Sequence, residues 1–236
     1  MSEHHVTNEI PDLDGNYDIY GIVHKGLRRA QCELLARLGR ADFSDDAATT
    51  QLLGDLRALL ALAAAHVEHE DHHIHRALHA RGAVSTDKLD DQHDHHRAAF
   101  VDLERMIAAV EAAPATRRGA PGRRLYIAFA LYVGHDLEHM HEEETVTAPI
   151  LWSLFTQQEL LEIEMRIIGS LPPEKNMAFM RIMIPAISPQ ERAMMLGGMK
   201  QSAPAEVFNA VMQFAAKPNL SSDEFADLER RLARAA

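Results

Sequence analysis

Four segments of this chain carry an apolar stripe at alternating steps of three and four residues, and in each the stripe turns polar at a histidine. That spacing traces one buried face of a helix. The first stripe is Tyr17, Tyr20, His24, Leu27, Gln31, Leu34, Leu38; the second is Leu52, Leu56, Leu59, Ala63, His66, Glu70, His73, Ala77. The third is Leu89, His93, His96, Phe100, Leu103, Ile107, Val110, and the fourth Leu125, Phe129, Tyr132, Asp136, His139, Glu143, Val146, Ile150. A solvated face would show the reverse pattern. Burying these imidazoles and carboxylates together costs a few kcal/mol for each unpaired group, so something in the core must compensate.

Turn and capping signals divide the chain. Helices are expected at about 17–40, 46–81, 86–112 and 123–155, with Ser85 or Thr86 capping the third. Asp42 to Asp45, Gly82, and Pro114 with the stretch to Gly122 supply the breaks. Pro149 is expected to kink or fray the last turn of the fourth helix. In antiparallel neighbours, residues equidistant from the connecting turn sit level. The midpoint of His24 and His66 is 45, that of His66 and His96 is 81, and that of His96 and His139 falls at 117 to 118. The first and third lie in expected loops, and the second sits beside the break at Gly82. The reading is all-α: an up-down-up-down four-helix bundle over residues 17–155, with its histidines in one layer.

A polar tail, 1–16, containing His4 and His5, precedes the bundle. Beyond it, Thr156-x-x-Glu159, Ser188-x-x-Glu191 and Ser221-x-x-Glu224 read as capping boxes. Prolines punctuate between them, so 156–236 is expected to be an array of four or five short helices. Seven of the eleven methionines fall at or after Met177, with Met177, Met180 and Met183 at helical spacing. They suit either the core of a small helical unit or a docking surface for a second copy or another protein.

All fifteen histidines precede residue 142, so the metal-ligating chemistry belongs to the bundle. His66-x-x-x-Glu70 and His139-x-x-x-Glu143 each place an imidazole and a carboxylate on one helical face, a donor set suited to iron, zinc and related metals. A net charge of −11 argues against a general grip on nucleic acid. The single cysteine, Cys32, excludes an internal disulfide and fits a reducing cytoplasm. No apolar run is long enough to span a bilayer. A ferritin-like alternative, Glu70-x-x-His73 and Glu138-x-x-His141 with Glu33 and Glu104, fails on height: Glu33 and Glu70 differ by roughly 20 Å from a turn near 45.

Taken together, His24-Lys25-Gly26-Leu27-Arg28, His66-x-x-x-Glu70-Asp71, His93 to His96 followed by Asp102-Leu103-Glu104, and His139-x-x-x-Glu143-Glu144 resemble the hemerythrin-like (HHE cation-binding) family over about three-fifths of the chain. The resemblance implies a non-haem di-iron centre, oxo- or hydroxo-bridged, with Glu70 and Glu143 as bridging carboxylates. It implies His24, His66, His139 and one or both of His93 and His96 as terminal ligands. Classical oxygen carriers of the family space two ligand histidines four apart on the third helix and use His-x-x-x-x-Asp on the fourth. Here His93 and His96 are three apart and Glu143 replaces the aspartate, closer to the intracellular branch with more open positions. The expected function is binding or sensing of O2, NO or a peroxide. The alternatives are a di-iron enzyme that removes peroxide or NO or repairs iron centres, and a protein that handles iron or zinc. His73 is expected on the seam, and His69, His72, His75, His79, His95, His135 and His141 mostly off it. Tyr20, Tyr132 and Asp136 are candidates either for orienting ligands or for ordinary packing.

Overall fold

The structure is a computed structural model that describes residues 10–82 and 86–234; His4, His5 and Ser85 lie outside them. The described residues form nine helices and no strand. The first, α1 (Gly21–Gly39), starts four residues later than its stripe, because Asp18 Oδ1 accepts the amides of Tyr20 and Gly21 and caps the turn. Helix α2 is continuous over 46–80. Asp45 caps its start by accepting from the amide of Ala48, and Gly82 ends it with φ +67°, a left-handed conformation that favours glycine. Helix α3 is Asp87–Ala112, and α4 covers 119–154, starting before the expected Arg123. At the head of α3, Thr86 makes no side-chain cap to the backbone; its hydroxyl donates to Asp90 instead.

Side-chain pairs fix the directions. Between α1 and α2, His66 and Glu70 lie beside His24 while Asp55 pairs with Arg37. Between α2 and α3, Asp71 meets His93 and Arg57 meets Glu104 and Glu111. Between α3 and α4, His93 meets His139, and Phe100 meets Tyr132; between α1 and α4, His24 meets Glu144 and Gln31 meets Asp136. In every case one number rises as the other falls, so each neighbouring pair is antiparallel. The four helices share one core, with Leu27, Leu56, Ile107 and Phe129 among its fully enclosed members. Each such side chain contributes roughly 1.5–3 kcal/mol of burial free energy.

The stripes on α2 and α4 shift partway along. Helix α2 passes from α geometry (Asp46–His69) through a π-helical turn (Glu70–His75) into a last α turn (Arg76–Ala80). Helix α4 does the same, with a π turn at Glu143–Thr147 between Gly119–Glu142 and Ala148–Leu154. A π turn holds one residue more than an α turn, so the buried face beyond it moves on by one position. Ile74 and Leu78 are therefore in the core, where the sequence pattern placed His73 and Ala77. Thr147 and Leu151 likewise replace Val146, which is 47% exposed, and the partly buried Ile150. Instead of fraying its last turn, Pro149 follows the π turn and sits in the first turn of the resumed α segment, where proline is tolerated.

The remaining helices are α5 (Gln157–Ser170), α6 (Pro173–Met183), α7 (Pro189–Ser202), α8 over 205–219 and α9 (Ser222–Arg234). All three expected capping boxes are formed. Helix α5 covers the histidine end of α1, α2 and α4 through Leu160 and Ile163, which pack with Tyr20, Ile74, Leu78 and Leu151. Helix α6 lies so close to α1 that a Cβ on Gly26 would come within 3.1–3.2 Å of Met183. Met177, Met180, Met195, Met199 and Met212 pack around Ile184, Leu196 and Val211, as core filling.

Candidate metal centre

Six of the seven residues singled out from the sequence converge in the core shared by α1 to α4. His24, His66, Glu70 and Glu143 form one group of donor atoms, and Glu70, His93, His139 and Glu143 form a second, each within 4.8 Å. Glu70 faces both: its Oε1 is 3.0 Å from His66 Nε2 and 3.7 Å from His24 Nε2, while its Oε2 is 3.5 Å from His93 Nε2. Glu143 Oε2 lies 3.3 Å from His24 Nε2 and 3.4 Å from His139 Nε2, again touching both groups. The π turns of α2 and α4 open at these two glutamates. Insertions of this kind recur at functional sites because they re-aim a side chain at little cost to the helix.

The outer ring nitrogens identify the tautomers. His24 Nδ1 donates to Glu144 Oε1 at 3.0 Å, His93 Nδ1 to Asp71 Oδ1 at 2.7 Å, and His139 Nδ1 to Gln92 Oε1 at 2.9 Å. Such outer partners are how ligating histidines are held and made more basic. In the neutral ring, each inner Nε2 presents a lone pair. His93 Nε2 and His139 Nε2 lie 3.1 Å apart, and the protonated His93 ring donates to its neutral neighbour there. That distance is also the separation of two adjacent donors on one ion with bonds of about 2.1 Å. His24 Nε2, His66 Nε2 and all four carboxylate oxygens of Glu70 and Glu143 are buried without a hydrogen-bond partner. Native cores rarely leave such atoms orphaned. The residues fit a pair of cations.

Electrostatics agree. Burial, reinforced by the charge of Glu70, pushes Glu143 up to about 8. Burial acts on Glu70 in the same sense, but His66, His24 and His93 outweigh it and hold that carboxyl well below its usual range. Without cations, therefore, one of the two carboxyls keeps its proton. Burial drives His66 down to about 4 and His139 to about 2, so both rings are neutral at pH 7 and ready to ligate. For His24 and His93 burial is overcome by the facing carboxylates, Glu143 and Glu70 respectively, and both are raised, His93 to about 9.

His96 is buried in the same region but joins neither group. Its Nδ1 lies 3.6 Å from Asp136 Oδ1, and its ring packs edge-on against Tyr132 and His139. An internal correspondence accounts for this. A 69-residue offset carries His24 to His93 and Arg28 to Arg97, and a 73-residue offset carries His66, Glu70 and Asp71 to His139, Glu143 and Glu144. Glu144 accepts two bonds from Arg28, at 2.7 and 2.8 Å, and Asp71 pairs with Arg97. Each half thus holds a histidine through a carboxylate tied to an arginine one turn along. His96 corresponds to Leu27, an apolar core residue.

This correspondence does not show as repeated text, because only widely spaced residues recur. The sequence pattern alone left Arg28, Asp71 and Glu144 without roles, and Gln92 and Arg97 unnoticed. Of the other histidines, His73 is half-buried, while His75, expected off the seam, is buried by the π turn's shift. Tyr20 stacks on His24, with its hydroxyl buried and unpartnered. Asp136 accepts from Gln31. Comparison of the chain with family models, with curated proteins and with solved structures returns no match.

Proposed function

We propose that residues 17–155 form a hemerythrin-like up-down-up-down bundle that holds two iron ions and binds O2, NO or a related small oxidant. The observation that carries this is the pair of donor groups sharing Glu70 and Glu143, with both carboxylates and the inner nitrogens of His24 and His66 unpartnered and the outer nitrogens of His24, His93 and His139 anchored. Each group offers two imidazoles and the oxygens of two shared carboxylates, fewer than the six donors of an octahedral ion, which leaves room for an exogenous ligand. Bound iron would supply electrons to that ligand. Zinc fits the same donors. The chain's own part is to fix ring orientation through Glu144, Asp71 and Gln92, and to exclude water with the apolar layer of Ile74, Leu78, Leu151 and Leu160.

Turnover of peroxide or NO at the same centre is the second reading, favoured by the same shortfall of donors. Residues 156–234 pack against the bundle through α5 and α6, and a role in reporting the state of the centre fits that contact. Among the described residues no helix is long and apolar enough to cross a membrane. Metal analysis with absorption spectra of anaerobically reduced and then oxygenated protein tests the proposal. Two ions per chain and a new visible band on exposure to O2 or NO are expected; iron-loaded protein with no optical response to either gas sinks it.

A further inference from the structure

The two halves of the bundle match at the donor layer but differ just outside it. Beside His93, Asp71 Oδ1 also lies 3.4 Å from His75 Nδ1, and that nitrogen is 2.9 Å from Asp90 Oδ1. Thr86 donates to Asp90 Oδ2 at 2.7 Å, and His79 Nε2 reaches Thr86 Oγ1 at 2.8 Å. The 73-residue offset maps His75 and His79 onto Ala148 and Trp152, and the 69-residue offset maps Asp90 and Thr86 onto Gly21 and Tyr17. Where one half has packing residues, the other has two imidazoles, a carboxylate and a hydroxyl. Holding a ligand histidine does not require them: the outer nitrogen of His24 is held by Glu144, itself tied to Arg28.

We propose that Asp71, His75 and Asp90 form a third, peripheral site for a divalent cation of the zinc or ferrous class. Asp71 and His75 already place donor atoms within 4.8 Å of each other and of His93, and Asp90 Oδ1 adjoins them 2.9 Å from His75 Nδ1. Asp71 and His75 sit at i and i+4 on α2, the spacing that lets two side chains grip one ion. Nitrogen with carboxylate oxygen is the donor mixture that borderline divalent ions accept. Arg97 occupies Asp71 Oδ2; Oδ1 accepts from His93 Nδ1 and keeps a second lone pair facing the cluster. The cluster is reachable as well as built: the Asp90 side chain is 47% exposed and that of Asp71 25%, whereas His75 is 2%. The His75 ring lies parallel to His93, with centroids 5.0 Å apart. An ion here stands between solvent and the second donor group, where it can exchange with the pair. Only that staging role rests on the two-ion reading; occupancy does not.

The test is equilibrium dialysis of the metal-free full chain against buffered free Zn2+, with zinc per chain measured by elemental analysis. Wild type should saturate at three ions, the third binding more weakly, and Asp90→Asn should saturate at two. Asp90 is at the surface, so the variant should keep its helicity and melting temperature; His75→Gln gives an independent loss of the same ion. Wild type saturating at two ions, or Asp90→Asn binding as many as wild type, overturns the third site and leaves the pair standing. A single ion removed by Asp90→Asn but retained by His66→Ala would keep the third site and sink the pair.

Discussion

Glu70 and Glu143 are equivalent residues: each follows a histidine by four positions, each opens a π-helical turn, and each is buried with both oxygens unpartnered. Placed on α2 and α4, they face the same two groups of imidazoles. Two such carboxylates in one dry layer are mutually destabilising until a positive charge lies between them.

Removing a shared carboxylate should therefore cost more metal than removing one histidine. Glu70→Ala is expected to abolish binding of both ions, whereas His66→Ala should leave the His93/His139 group occupied. Metal content of the two variants after identical loading checks this. Equal losses would mean that Glu70 is not shared.

The outer anchors should be worth roughly 10–100-fold in metal affinity. Glu144→Ala releases His24 Nδ1 and strands Arg28, and Gln92→Ala releases His139 Nδ1. Competition with a calibrated chelator should show both variants folded and weakened. An unchanged affinity in Glu144→Ala would remove the arginine–carboxylate anchor from the description of the site.

The register shift after each π turn is testable by stability. Leu151→Ala and Leu78→Ala empty core positions and should each cost about 2–5 kcal/mol. Val146→Ala, at a site the uninterrupted pattern would bury, should stay within about 0.5 kcal/mol of wild type. Chemical denaturation of the three variants settles the order, and a larger loss at Val146 than at Leu151 would restore uninterrupted α geometry.

In metal-free protein, acid should destabilise the fold early. His66, His96 and His139 have folded values pushed below 6.5 by burial, to about 4, 4 and 2. Between those values and 6.5 the unfolded chain binds more protons, so stability falls as pH falls through that window. Each ring contributes roughly 1.4 kcal/mol of loss for every pH step of one. His24 and His93 act oppositely: their contribution is present below 6.5 and is lost as pH rises, for His93 through about 9. Melting temperatures of the metal-free chain should drop from pH 6.5 to 4. Bound metal should hold the curve flat until the ligands protonate, and the absence of any drop would mean that these rings are not held neutral in the fold.

Much of this was legible in the residues. The alternation of three- and four-residue steps marks α1 to α4, because a helix that buries one face must repeat its apolar residues at its own pitch. Gly82, Pro114 and the Thr156, Ser188 and Ser221 boxes mark the helix ends, because caps and breakers act through local backbone chemistry. His24, His66, Glu70, His139 and Glu143 stood out because apolar seams seldom turn polar without a ligand.

What the one-dimensional pattern could not carry was anything set by contact across helices. The π turns are not written in propensity; they occur where Glu70 and Glu143 must turn toward shared partners, and they alone put His75, Ile74 and Leu151 inside. The choice of His93 over His96 is likewise tertiary, since both lie on the same face and only the positions of Asp71 and His139 separate them. Local chemistry determined which segments coil and which face they bury. The packing of four helices around two buried carboxylates decided which imidazoles meet, because that depends on distances between residues far apart in the chain.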